Sequence, residues 1–231
     1  MFKTICMLTA TAAFLYAGPF KGGYMNQTKA WATQALSLPE PSTDGSMSVE
    51  KAISQRRSVR SFSQEPLTLE EVSQILWSAQ GITEPRRNLR AAPSAGATYP
   101  LAVYLISGNI QGLEEGVYRY APENHSLNLV MKGDKRDSLY RQALSQSPVR
   151  DAPAVVVIAG VFERTTGRYG SRGENYVYME VGHAGQNIHL QAEALGLGTV
   201  VIGAFSDSGV QDVLDFSRDM IPMYIMPVGR K

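Results

Sequence analysis

Gly116-Val-Tyr-Arg-Tyr-Ala-Pro-Glu-Asn-His-Ser-Leu-Asn-Leu-Val-Met131 is the stretch on which the fold class turns. Its arms, 116–120 and 127–131, are rich in aromatic and aliphatic residues, and Pro122-Glu-Asn124 between them is turn chemistry. Together they predict a β-hairpin. A hairpin does not belong to a regular run of strand–helix–strand crossovers, so the flanking elements decide what surrounds it. Leu101 to Ile106 predicts a strand before it, and Asp134 to Leu144 a polar amphipathic helix after it. Ala154-Val-Val-Val-Ile-Ala159 is unbroken and apolar, the pattern of a central strand buried on both faces. Glu174 to Leu195 carries Val177, Val181, Ala184, Ile188, Ala192 and Leu195 along one helical face, and Gly196 ends it. Gly182 and Gly185 weaken that helix, which close approach of another backbone explains. A strand Thr199–Ile202, a turn Gly203–Phe205, a helix Ser208–Phe216 and a strand Met223–Met226 complete the chain. Toward the N-terminus, Ser48 can cap a helix reaching Gln55, and Thr68-Leu-Glu-Glu71 is a capping box for a helix that stops at Gly81. Strands and helices alternate irregularly, so the expected class is α+β, a mixed β-sheet covered by helices.

Composition narrows the function. The 231 residues suit one domain, and 22 Lys+Arg against 21 Asp+Glu leave no global field for nucleic acid or anionic lipid. Cys6 is the only cysteine, which excludes a disulfide framework, a CxxC redox pair and a cysteine-rich metal site. His183 and His189 are six apart and face different sides of a helix, so a zinc pair is not expected. Residues 1–17 join Lys3 to a short apolar run ending at Ala17, which reads as a signal peptide or a membrane-tethering leader. Its alternative is a packed N-terminal helix. Export or tethering is therefore the expected localisation, with a cytoplasmic protein as the alternative. Residues 18–47 read as a linker or arm, and 48–231 as the folded body.

Arg56-Arg57-Ser58-Val59-Arg60 places three guanidiniums and a hydroxyl within five residues, a group suited to a phosphate monoester. Its alternative is a solvated helix end, where cations complement the macrodipole. Pro93-Ser-Ala-Gly-Ala97, with Tyr99-Pro100 behind it, is a rigid loop of small residues that a flat molecule could approach closely. The chain has no Gly-x-Ser-x-Gly elbow, no Gly-x-Gly-x-x-Gly fingerprint and no Walker A loop. Phosphate-type arginines without acid–base machinery point to an organic cofactor that brings its own chemistry.

These motifs, with Gly182-His-Ala-Gly-Gln-Asn187, Ala194-Leu-Gly-Leu-Gly198, Ile202-Gly-Ala-Phe205 and Pro227-Val-Gly-Arg230, resemble the FMN-dependent nitroreductase superfamily. More narrowly they resemble its SagB/ThcOx-type dehydrogenase branch. The resemblance spans roughly residues 48–231 and implies an intertwined homodimer with FMN at the subunit interface. It assigns Arg56, Arg57, Ser58 and Arg60 to the FMN phosphate and ribityl chain, with Arg230 joining them. Pro93, Ser94, Ala95, Gly96 and Ala97 would approach the isoalloxazine from the partner subunit. Ile202, Gly203 and Ala204 would lie along the flavin's opposite edge. Gln186 is a further candidate, with a buried helix polar group as its alternative.

The implied reaction passes a hydride from a donor, commonly NAD(P)H, through the flavin to a small organic acceptor such as a nitroaromatic or a quinone. Oxidative action on a specific metabolite or peptide azoline is one alternative, and a flavin-binding module without turnover is another. Azoline oxidases of the branch use a Lys-Tyr pair that would fall on Arg168-Tyr169. An arginine there is a poor base, which puts azoline oxidation in doubt, while Tyr169 remains the candidate catalytic side chain.

Overall fold

The structure, a computed structural model, describes residues 35–231. The expected leader, 1–17, and the first part of the arm, 18–34, lie outside the described residues. Seven strands make the main sheet, in the order β1 (Leu36–Ser37), β6 (Ser126–Lys132), β5 (Gly116–Ala121), β4 (Leu101–Ser107), β7 (Ala154–Val161), β9 (Met220–Arg230) and β8 (Leu197–Thr199). A separate small hairpin joins β2 (Ile82–Glu84) to β3 (Leu89–Arg90). The α+β class stands. Every ladder of the sheet is antiparallel, and among the described residues parallel pairing occurs only at isolated bridges such as Ser58–Thr199.

Alternation along the central strands sorts two cores, because successive side chains of a strand point to opposite faces. Val103, Leu105, Val156 and Ile158 face one way, under α2 (Leu69–Gln80) and α6 (Arg172–Ala194). Tyr104, Ile106, Val155 and Val157 face the other, against α3 (Arg136–Gln142) and α7 (Asp207–Leu214). The shorter helices are α1 (Val49–Gln55), α4 (Pro148–Asp151) and α5 (Glu163–Tyr169). Ser48 caps α1 by accepting the Lys51 N–H, and both halves of the Thr68/Glu71 capping box are formed.

Several boundaries move. Residues 35–47 do not run free: β1 pairs with the edge of β6, Leu38 is buried, and the Pro39 carbonyl accepts from Ser73. The folded body therefore reaches back at least to Leu36. α5, which holds Arg168 and Tyr169, and α4 are additional helices, and β9 runs eleven residues where four were expected. Thr199 ends β8, and Ile202 only bridges to Ile225. At Gly185 an added Cβ would come within 3.0 Å of the Tyr224 ring, so the close approach there is to a side chain; Gly182 faces open space.

Register gives the sheet two ends. Leu101, Gly160 and Ile221 lie across from one another at one end, and Ser107, Ala154 and Val228 at the other. The six steps from Ala154 to Gly160 span roughly 20 Å at strand rise.

Candidate active site

The basic cluster sits at the Val228 end. Arg57 donates from Nη1 to the Ser54 and Arg56 carbonyls at the close of α1. The chain then crosses β8: Val59 N–H donates to the Thr199 carbonyl at 2.9 Å, and Ser63 N–H to the Arg230 carbonyl at 3.0 Å. Gly198 makes this crossing possible, since a Cβ there would stand 2.7 Å from Val59. Ser58 and Arg60 are exposed and Arg56 is half-buried. Near Arg56 lies His189 on α6, 7% exposed, whose pKa burial and then the arginine's charge push down to about 4. A histidine kept neutral leaves the Arg56 charge uncompensated from that side, a favourable setting for an anion.

Arg230 reaches the same corner but is engaged. Its guanidinium grips Glu71 at 3.0 and 3.1 Å and lies 3.4 Å from Glu65. Glu71 thereby serves twice, closing the α2 capping box and anchoring the last strand. Beyond β8, Ile202 is buried, while Gly203 and Ala204 are exposed, with open space around Gly203.

The small-residue loop belongs to the opposite end of the sheet, directly before Leu101. Ala95–Ala97 is a single 3-10 turn, and Gly96, Ala97 and Tyr99 all have positive φ, at 59°, 53° and 44°. For Ala97 and Tyr99 this is strained backbone that the surroundings must hold. They do so from three sides. Tyr99 N–H donates to Ser94 Oγ at 2.9 Å, and the Thr98 and Thr165 hydroxyls meet at 2.8 Å. Arg164 donates to the Tyr99 carbonyl and Arg168 to the Gly96 carbonyl, both at 3.1 Å. Arg90 stacks over the Tyr99 ring at 4.4 Å. Pro93, Gly96 and Ala97 remain exposed, while Ser94 and Ala95 are half-buried.

Tyr169 rests edge-on against Tyr176 with its hydroxyl over Gly96, where any Cβ would collide with it. Arg168 and Tyr169 thus ride on the loop as one unit. Gln186 is exposed on α6, so the buried-polar alternative does not apply to it. Its neighbour Asn187 takes that part, donating to the Ser78 and Ala91 carbonyls behind the loop.

Residue reading missed Thr165, Arg164 and Glu180. Nothing in the local sequence marks the first two. Glu180 carries a signal: it falls three residues after Val177 and beside Val181, an acid on an apolar stripe, and it is 2% exposed. Burial raises its pKa from 4.5 to about 7, with Ser94 and Arg90 opposing the shift. No group of three or more acidic, histidine or cysteine side chains among the described residues could hold a metal ion.

Known proteins resemble the chain in sequence and in fold. The chain is 44% identical over 199 residues to MJ1384 of Methanocaldococcus jannaschii, named as a candidate nitroreductase, covering 86% of this chain and 98% of that one. It is 29% identical over 170 residues to McbC of Escherichia coli, a microcin B17-processing protein, covering 71% of this chain and 62% of McbC. The crystal structure of a nitroreductase-type protein from Ralstonia eutropha superposes with a TM-score of 0.73 at 26% identity, over 86% of this chain and 90% of that one. The sequence profile described as the nitroreductase family matches residues 53–230, from α1 through the Arg56–Arg60 corner and the Pro93–Ala97 loop to the last strand, and the chain belongs to that family of oxidoreductases.

Proposed function

We propose that the protein is an FMN-dependent oxidoreductase, a homodimer with its flavin sites between subunits, that transfers electrons from NAD(P)H to a small organic acceptor such as a nitroaromatic or a quinone. The observation that carries this reading is the division of the recognition motifs between the two ends of the sheet. The anion corner lies near Val228 and the strained loop near Leu101, about a strand length apart. Two copies related by a two-fold axis would bring the loop of one to the corner of the other. An exposed apolar set supports such pairing: Val49 and Ile53 on α1, Tyr178 and Met179 on α6, each more than half exposed.

The residues present suit FMN. Ser58, Arg60 and Arg56 offer a hydroxyl and guanidiniums to a phosphate, with Arg57 alongside, and Arg230 braces the corner through Glu71. Gly203 leaves room for a ring edge, Ile202 and Ala204 flank it, and Pro93, Ser94, Ala95, Gly96 and Ala97 present a small-residue platform from the partner. Gln186 on the exposed face of α6 is a further contact across the dimer. When bound, FMN would supply the hydride and electron transfer, and the side chains described here would bind and orient it. Tyr169, whose hydroxyl lies over Gly96, would donate a hydrogen bond to a substrate.

Likeness to McbC favours a second reading, oxidation of a peptide substrate. Arg168 argues against it, since its guanidinium is committed to clamping the Gly96 carbonyl. Purified protein decides. Bound yellow FMN that bleaches with NADH or NADPH and recovers with a nitroaromatic or quinone is the expected result, and Arg56→Ala should weaken FMN retention at least several-fold. Protein that holds FMN but resists both nicotinamides and artificial acceptors would overturn the reductase reading, and protein unable to take up FMN would overturn the whole of it.

A further inference from the structure

Residues 40–48, α2 and α6 enclose an open groove of about 770 Å³, the size of a pocket that takes a drug-sized group, and none of the flavin-site residues lines it. Trp77 of α2 and Leu190 of α6 form part of its wall. Three carboxylates stand on its rim, Glu40 and Asp44 from the arm and Glu70 from the first turn of α2, all exposed and none in an ion pair among the described residues. Glu71, also on the lining, is taken by Arg230.

The arm side of the groove is built. Ser42 N–H donates to Gln74 Oε1 and the Gln74 amide donates back to the Ser42 carbonyl, both at 2.9 Å, while the same amide reaches Gln191 on α6 at 3.2 Å. A buried side chain thus pairs with the arm as a neighbouring strand would, which fixes the backbone that carries Glu40 and Asp44. At Ala194 the long helix α6 ends on the groove without a basic residue in its last turn, so the negative end of its dipole adds to the pull of the acids on a cation. Lys231, nearby in the chain's last position, is already bound to Glu193 at 2.8 Å.

An exposed cationic element is available to meet it. The β2–β3 hairpin turns through Pro85-Arg-Arg-Asn88, four exposed residues, and neither the Arg86 nor the Arg87 side chain has a partner among the described residues. The turn itself is braced, with Glu84 accepting the Arg86 N–H at 3.0 Å. At the base, Ala91 N–H donates to the Gly81 carbonyl, and Arg90 bonds Gln80 and Glu123 while stacking on Tyr99, so hairpin and Pro93–Ala97 loop are joined. The tip does not enter the groove of its own chain, whose lining stops at Ala91.

We propose that the β2–β3 hairpin of one copy docks in the groove of a second, with Arg86 and Arg87 against Glu40, Asp44 and Glu70 and a guanidinium over the Trp77 ring. A guanidinium pairs with carboxylates and stacks on indole, the two surfaces that this groove offers. Charge complementarity and position both select a second copy as the occupant. The hairpin leads into the loop that the dimer reading sends to the partner, and the groove reaches Val49, one of the exposed apolar residues of α1. The docking rests on the homodimer proposed above and adds to it a segment that crosses between subunits. In a two-fold dimer the contact occurs twice, each hairpin entering the other copy's groove.

The test uses the full chain and sedimentation velocity over a range of concentrations. One variant reverses the hairpin, Arg86→Glu with Arg87→Glu, and another reverses the groove, Asp44→Arg with Glu70→Arg. Each alone should dimerise roughly tenfold or more weakly than the wild type, because like charges then face one another at both contacts. An equal mixture of the two should recover wild-type affinity to within a few-fold, since an acidic hairpin then meets a basic groove and a basic hairpin an acidic one. Salt raised to about 0.5 M should weaken the wild-type dimer. All four positions are exposed, and the circular dichroism spectra should be unchanged. Variants that dimerise as tightly as the wild type, or a mixture that gains nothing over its components, would overturn the docking and leave the homodimer standing. A wild type that stays monomeric at every concentration would overturn both. Should one variant not fold, the loss or retention of the dimer in the other decides alone.

Discussion

Glu180 and His189 sit nine residues apart on the same helix and pull stability in opposite directions with pH. Burial raises the Glu180 pKa from 4.5 to about 7, so between those values the folded chain holds a proton that the unfolded chain releases. Its contribution is therefore full below about pH 4.5 and is lost as pH rises through 7, by roughly 3 kcal/mol at most. His189, lowered from 6.5 to about 4, does the reverse: the unfolded chain binds the extra proton, and stability rises with pH across that window. Comparison with Glu180→Gln cancels the histidine. Thermal unfolding should show the variant gaining on the wild type from pH 5 to pH 8, and parallel curves would contradict this. Such residues mark the limit of reading at this scale. Arg56 and Ser58 announce an anion site by their chemistry, whereas Arg230 gives no hint that Glu71 and Glu65 hold it, because that pairing joins the first helices to the last strand across the fold.

Elements with local determinants were legible. The Thr68/Glu71 box fixes the start of α2 because the satisfied N–H groups and the side chains that satisfy them lie within four residues. The hairpin at 116–132 and the buried run of β7 are likewise written in nearest-neighbour pattern. α5 was not legible: Glu163-Arg-Thr-Thr-Gly-Arg-Tyr169 has β-branched residues, a glycine and no apolar stripe, and it is helical because Thr165 and Arg168 are tied to the loop. The loop's positive φ angles at Ala97 and Tyr99 are hidden for the same reason, since neither residue favours them and distant contacts impose them. The capping box makes a test. Thr68→Ala should lower stability by about 1 kcal/mol and the melting temperature by about 2–4 °C, measured by circular dichroism.

At the scale of the molecule, we propose that a second copy covers the exposed apolar residues of α1 and α6, Val49, Ile53, Tyr178 and Met179. Val49→Asp with Ile53→Asp should convert a dimer to a monomer by light scattering and weaken FMN binding at least tenfold, while the circular dichroism spectrum is unchanged. A dimer that survives both changes would place the interface elsewhere. Among the described residues no helix is long and apolar enough to cross a membrane. We read the first seventeen residues as an export or tethering leader, and mass spectrometry of the native N-terminus would detect cleavage after Ala17. The docking of residues 36–39 bears on where the chain can be cut. β1 covers only Ser126 and Leu127 of β6, and the Pro39 carbonyl ties it to Ser73 and His125. Protein shortened to begin at Ser48 would bare that strand's backbone groups, the usual template for edge-to-edge self-association, and should precipitate where protein beginning before Leu36 stays in solution.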